Sequence, residues 1–167
     1  MRLVENTQVT MKDAVGVGLL TTAGNGVNMA KYNRCRIILL VTTSNSAPTG
    51  GLVSLYQGTS ATCSIALAIP EYWYCGDMLA GDTLTHVGNY DGAVDYTATQ
   101  MAVQNKTAMY VFEIKSSQLS SATWGSEDIY IRLGQTAVTV ATSTMSVIYE
   151  LYEPRVARGA EGMPTAY

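Results

Sequence analysis

The chain has 167 residues, the size of one domain, and at this length roughly 70% of the unfolded surface can be buried. Charged residues make up only 14%, against about 25% in ordinary soluble domains, yet mean hydropathy is only +0.10, because Ser, Thr, Gly and Asn supply polarity without charge. A net charge of −3 and a pI near 5.0 argue against a nucleic-acid binder, which needs phosphate-neutralising basic surface, and the longest aliphatic run, residues 37–41, is far too short to cross a bilayer as a helix, which takes about 20 residues.

The first 30 residues read as an N-terminal arm. They mix a polar start with two glycine-rich runs, Val15-Gly16-Val17-Gly18 and Ala23-Gly24-Asn25-Gly26. Glu5 arrives before any hydrophobic stretch develops, unlike a secretory signal. The glycines lack both the GxGxxG spacing and the Lys-Ser/Thr of a phosphate loop, so they are expected to supply turns or a flexible arm.

The period then becomes two. Residues 34–41, Arg-Cys-Arg-Ile-Ile-Leu-Leu-Val, begin with alternation and become apolar on both faces, which predicts a central strand. After the turn residues 45–51, Val53 and Leu55 alternate with Ser54 and Tyr56. Beyond the Gly58 turn, Cys63, Ile65, Leu67 and Ile69 alternate with Thr62, Ser64, Ala66 and Ala68. Tyr72, Trp73 and Tyr74 form an aromatic cluster, and residues 72–79 are a candidate for a short helical piece. Gly76-Asp77 and Gly81-Asp82 punctuate the middle, and Asp91-Gly92 has the chemistry of a hairpin turn.

Further strands are predicted at residues 83–87, 94–100 and 108–114. The serine-rich residues 116–121 suit one helical turn. Ile129, Ile131 and Leu133 alternate with Asp128, Tyr130 and Arg132, and Met145, Val147, Tyr149 and Leu151 alternate with Thr144, Ser146, Ile148 and Glu150. Residues 153–167 carry Pro154, Pro164 and two glycines without periodicity, and read as a C-terminal tail.

About eight strands with turns every 8–15 residues predict an all-β fold: a two-sheet antiparallel sandwich, jelly-roll-like, over residues 31–152, with extended N- and C-terminal arms.

Catalytic material is sparse. His86 is the only histidine, in a strand-like setting without a nucleophile elbow beside it. Cys35, Cys63 and Cys75 are odd in number and lack metal-ligand spacing, which predicts reduced, buried thiols and synthesis in a reducing cytoplasm. Asp77, Asp82, Asp91 and Asp95 lie in or beside the middle loops, but no EF-hand spacing accompanies them, and loop aspartates ordinarily cap turns. No enzymatic activity, catalytic residue, metal or cofactor is expected. The outstanding feature is 11 tyrosines against one phenylalanine. Tyrosine joins a large contact area to a polar tip, which suits interfaces and also sugar stacking.

Four segments carry a resemblance: residues 31–41, residues 112–119 (Phe-Glu-Ile-Lys-Ser-Ser-Gln-Leu), residues 128–133 (Asp-Ile-Tyr-Ile-Arg-Leu) and residues 150–155 (Glu-Leu-Tyr-Glu-Pro-Arg). Together they resemble the strand layout of small virion structural proteins of tailed bacteriophages, across about residues 31–155 but not clearly over 70–105. The resemblance implies a head-associated protein of the capsid decoration, or cement, type. It would be made in the host bacterial cytoplasm and reside in the virion. Expected partners are the major capsid protein or other virion proteins, and other copies of the chain, with a trimer suited to local three-folds of a shell; neither nucleic acid nor membrane is an expected partner. The candidate interface residues are Tyr72, Trp73, Tyr74, Tyr152, Arg155 and Arg158. Two other readings stay open: a tail, connector or fibre-base component, and a carbohydrate-binding β-sandwich, whose main support is the aromatic cluster at 72–74.

Overall fold

A computed structural model describes residues 8–15, 26–43, 52–69, 71–88, 94–95, 106–120, 128–136 and 143–154. They form eleven strands and two short 3-10 turns: β1 (Gln8–Val15), β2 (Val27–Asn28), β3 (Tyr32–Thr43), β4 (Leu52–Gly58), β5 (Ile65–Leu67), β6 (Glu71–Cys75), η1 (Met78–Ala80), β7 (Thr85–Gly88), β8 (Val94–Asp95), β9 (Thr107–Lys115), η2 (Ser116–Gln118), β10 (Tyr130–Thr136) and β11 (Ser143–Pro154).

All described pairings are antiparallel, in two sheets. One sheet has the order β1-β11-β3-β9-β6-β7; the other has β2-β10-β4-β5, with β8 also paired to β4. Set aside the β6–β7 hairpin and β8, and the remaining eight strands follow the orders first-eighth-third-sixth and second-seventh-fourth-fifth. That is the strand order of a jelly roll, with the hairpin extending the first sheet beyond β9.

Pleating puts successive side chains on opposite faces, so strict alternation in sequence becomes strict alternation in burial. In β9, Ala108, Tyr110, Phe112 and Ile114 are buried between neighbours that are not. In β3, Cys35, Ile37, Leu39 and Val41 are fully buried, while Arg34, Arg36, Ile38 and Leu40 lie on the other face, half-buried. The inner residues of β9, β3 and β11 meet Val53 and Leu55 of β4 and Ile131 and Leu133 of β10 in one core, joined by Met29, Ile69 and Ile129. Each such side chain removed from water contributes roughly 1.5–3 kcal/mol.

Three local features differ from the sequence expectation. The first concerns the N-terminal arm of residues 1–30. Gln8–Val15 pairs with β11 through eight consecutive positions, and Val27–Asn28 pairs with β10, so this segment supplies two strands of the sandwich. Backbone hydrogen bonds to a neighbouring strand need no hydrophobic period, which is why the sequence did not announce them.

The second concerns the strand expected over 62–69, of which only Ile65–Leu67 forms. Cys63 sits at φ +42°, in the left-handed region, which ends any extended run, and Ile65 faces solvent at 42% exposure. The third concerns the helical piece expected over 72–79. Residues 71–75 are strand, and only Met78–Ala80 turns helically. Asp77 Oδ1 accepts from Leu79 N–H at 3.1 Å at its start, and Gly81 closes it at φ +76°. Of the C-terminal tail expected over 153–167, Glu153 and Pro154 belong to β11, where Pro154 pairs with Tyr32, while residues 155–167 and the expected Asp91-Gly92 hairpin lie outside the described residues.

Candidate functional site

The core uses one face of the six-stranded sheet, and the other face is a surface. Register places Trp73 of β6 beside Val111 of β9, Val111 beside Ile38 of β3, and Ile38 beside Ile148 of β11. All four are half-buried, and they form an apolar row crossing four strands. Met109 and Leu40 form an adjacent pair on the same face.

The next rows toward the Arg34 end of β3 are ionic. Arg36 stands between Glu113 and Glu150, and Arg34 stands between Lys115 and Tyr152. Arg34 Nη1 donates to Glu113 Oε1 at 2.8 Å, and Tyr152 Oη donates to the same oxygen at 2.6 Å. Arg34 Nε lies 3.1 Å from Glu153 Oε2, whose residue takes φ +55°. Arg36 Nη1 donates to Glu150 Oε2 at 3.0 Å, and its guanidinium carbon lies 5.3 Å from the centre of the Tyr152 ring. Burial alone pushes the Glu113 carboxyl up, but the hydrogen bonds from Tyr152 and Arg34 and the charge of Arg36 outweigh it and hold the group below its ordinary value. Burial and the Glu113 bond push the Tyr152 phenol up to about 12.

The structure separates the expected interface residues. Tyr72, 2% exposed, is a core residue on the inner face, with its ring centre 6.0 Å from Phe112 and 6.4 Å from Tyr110. Tyr74 points the same way and packs against the core. Only Trp73 reaches the outer face, where its ring lies 5.0 Å from that of His86. Three consecutive strand residues cannot share one face, so the aromatic cluster is not a platform. Tyr152 does lie on the outer face, but its hydroxyl is already engaged with Glu113. Arg155 and Arg158 lie outside the described residues.

His86 Nε2 is 3.1 Å from Glu71 Oε2, an exposed pair on the outermost hairpin. Among the described residues no three His, Cys, Asp or Glu side chains gather as a metal-binding group. The three thiols are buried and unpaired with one another: Cys35 and Cys63 are pushed above the ordinary thiol value by burial, Cys63 to about 11.

The sequence did not mark two surface features. The first is the η1 loop, where Leu79 is 80% exposed and Met78 and Leu84 are also exposed. The loop is held from within: Ala80 N–H and Asp82 N–H both donate to Asp77 O, and the Cys75 thiol donates to Asp82 O. The flanking Gly-Asp pairs predicted turns but not which side chain they present. The second is an open groove of about 420 Å³ beside β5, lined by Gln57, Ala66, Leu67, Ala68, Gln118 and Ser120.

No protein-family model matches the chain, and no curated protein matches it. Among solved structures, it aligns with the VP2 subviral particle of infectious bursal disease virus at 10% identity and TM-score 0.23, over 89% of this chain and 42% of that one. It aligns with the structure of the Gx strain of that virus at 12% identity and TM-score 0.21, over 90% of this chain and 38% of that one. The chain thus spans less than half the length of these neighbours, and the likeness is too small to inform fold or function.

Proposed function

We propose that this chain is a virion structural protein, a capsid decoration or cement subunit that binds and stabilises the head shell of a phage. The observation that carries this reading is the double use of the six-stranded sheet. Its inner face closes the core, and its outer face offers the Trp73–Val111–Ile38–Ile148 row beside an ionic cluster in which Arg34 and Arg36 are paired with Glu113, Glu153 and Glu150. A face of that kind presents apolar area beside charges that are mostly paired within the subunit, the exposed Lys115 excepted, which suits docking onto another protein. Of the four segments that carry the resemblance, three contribute to the adjacent strands β3, β9 and β11, and the fourth forms β10 in the facing sheet.

A cement subunit performs no chemistry. It bridges shell subunits at many equivalent positions, so modest contacts add through avidity, and a trimer matches local three-folds. The tail residues Arg155 and Arg158 extend the reach in this reading, through charge-assisted bonds to carboxylates on a neighbour. The carbohydrate-binding alternative loses its main support with Tyr72 in the core.

Imaging particles assembled with and without the chain tests the proposal. Density on the outer shell, together with heads that rupture at lower temperature when the chain is missing, is the expected result. Density on the tail or at the connector would transfer the chain to another virion part, and specific retention on a glycan array would favour the carbohydrate reading.

A further inference from the structure

His86 carries the row of the outer face across one more strand. It stands beside Trp73 in the β6–β7 register, with the two ring centres 5.0 Å apart. A partner that covers Trp73 therefore covers the imidazole as well. His86 Nε2 is also 3.1 Å from Glu71 Oε2, and both side chains are partly exposed. A carboxylate only accepts, so Nε2 carries the hydrogen of this bond and Nδ1 is the nitrogen that takes up a proton. Uptake there turns a hydrogen bond into an ion pair without moving either side chain.

The charges around the pair set the effect of that proton. One step beyond Tyr72–Phe112, the β6–β9 register puts Glu71 beside Glu113, a like charge. Glu113 and Glu153 are engaged by Arg34, Glu150 is engaged by Arg36, and Lys115 stands beside Arg34. Those three carboxylates and three cations balance. β6 also brings the buried Cys75, whose thiol donates to Asp82 O. In the adjoining loop Asp77 lies 3.7 Å from Lys106, and Asp82 is exposed. β7 has no titratable side chain besides His86.

Among the described residues, then, the ionic partner of Glu71 is His86. With His86 neutral, the pair holds a net negative charge at the end of the apolar row. With His86 protonated, it holds none. Covering a lone charge costs more than covering a hydrogen-bonded ion pair.

We infer that docking on this face is linked to a proton: the His86–Glu71 pair takes one up as a partner covers Trp73, and binding tightens in mild acid. Histidine is the side chain whose charge ordinarily changes between about pH 5 and 8. The docking face rests on the function proposed above; the proton linkage is added to it.

The test titrates heads lacking the chain with wild type, His86→Gln and Glu71→Gln from pH 8 down to 5.5. Both side chains are partly exposed, so neither substitution opens the core. Effects that belong to the heads appear equally with His86→Gln, so the ratio of wild-type to His86→Gln affinity is read. That ratio should rise by about fivefold or more across the range, the lower end of couplings between sites. Glu71→Gln should bind more tightly than wild type at pH 8. Its affinity relative to His86→Gln should then fall in acid, because a protonated His86 has lost its carboxylate.

A wild-type ratio that stays level, or a Glu71→Gln variant that still tightens in acid, overturns the proton linkage and leaves the cement function standing. Wild type that binds heads at no pH overturns both.

Discussion

Tyr149 joins the two sheets through Leu133: the hydroxyl of this fully buried tyrosine on β11 accepts the Leu133 N–H of β10 at 3.0 Å. β2 pairs with β10 only at Tyr130 and Ile131, and the Tyr149 hydroxyl serves the Leu133 donor two residues beyond. A side chain from one sheet thus completes the backbone bonding of the other.

Tyr149→Phe removes that acceptor and leaves a buried N–H without one. The expected loss is about 1–3 kcal/mol of stability, the range for an unsatisfied buried donor. Chemical denaturation should show a lower midpoint with an unchanged slope, and a wild-type midpoint would show that water replaces the hydroxyl.

Alkaline pH should destabilise the fold well before the backbone is attacked. Burial raises the Tyr149 phenol, and burial with the Glu113 bond raises Tyr152 to about 12. Burial raises the Cys35 thiol, and Cys63 to about 11. In each case the folded chain holds its proton more tightly than the unfolded chain does. Stability is therefore complete below the unfolded values, near 9 for thiol and 10 for phenol, and falls as pH rises through the folded ones. Thermal midpoints measured from pH 8 to 11.5 should be level at first and then fall, and Tyr152→Phe should flatten the upper part of that fall.

Gly134→Ala should be destabilising although the change is one methyl. A Cβ there would stand 2.5 Å from Tyr56 Cε2 and 2.9 Å from Cδ2. The Tyr56 ring is held over that glycine, with the Arg132 guanidinium carbon 4.7 Å from its centre. Overpacking of this kind costs typically 1–3 kcal/mol. The same substitution in a Tyr56→Ala background should cost clearly less, and a double-mutant cycle by thermal unfolding reads the difference. Additive effects would mean the ring moves aside freely.

Tyr152→Phe and Glu113→Gln should both be mild, each within about 1 kcal/mol, because the cluster is partly exposed and screened by water. The Glu113 carboxyl is held below its ordinary value, so its contribution is present above the unfolded value and disappears as pH falls through the folded one. The stability gap between Glu113→Gln and wild type should therefore narrow below about pH 4. A constant gap down to pH 2.5 would show that the hydrogen bonds, not the charge, carry the effect.

Deleting residues 155–167 removes Arg155 and Arg158 but no described strand residue. The thermal midpoint of the monomer should stay close to wild type, while binding to heads or to other copies weakens. A collapse of the midpoint would instead assign the tail to the fold of the subunit.

Which residues face the core was largely written in the sequence, because the pleat is a local property. Ile37, Leu39 and Val41, Ile129, Ile131 and Leu133, and Val147, Tyr149 and Leu151 are all buried, as their two-residue spacing predicts. Which strands lie beside one another was not. Ile38 meets Ile148 across 110 positions and Val111 across 73, and no local signal encodes such pairings. For the same reason the pairing of residues 8–15 with β11 was invisible, since an edge strand is held by backbone bonds that any sequence can make. The candidate site shows the division most clearly. Composition marked tyrosine as the unusual residue, but tertiary structure decided its use. Alternation sent Tyr72 into the core and Trp73 outward, while the meeting of β3, β9 and β11 tied Tyr152 to Glu113 and Arg36. The buried Gln57 found its partner only through the fold: its Oε1 accepts from the N–H of Ser120, 63 positions away, because hydrogen-bond satisfaction depends on the whole fold.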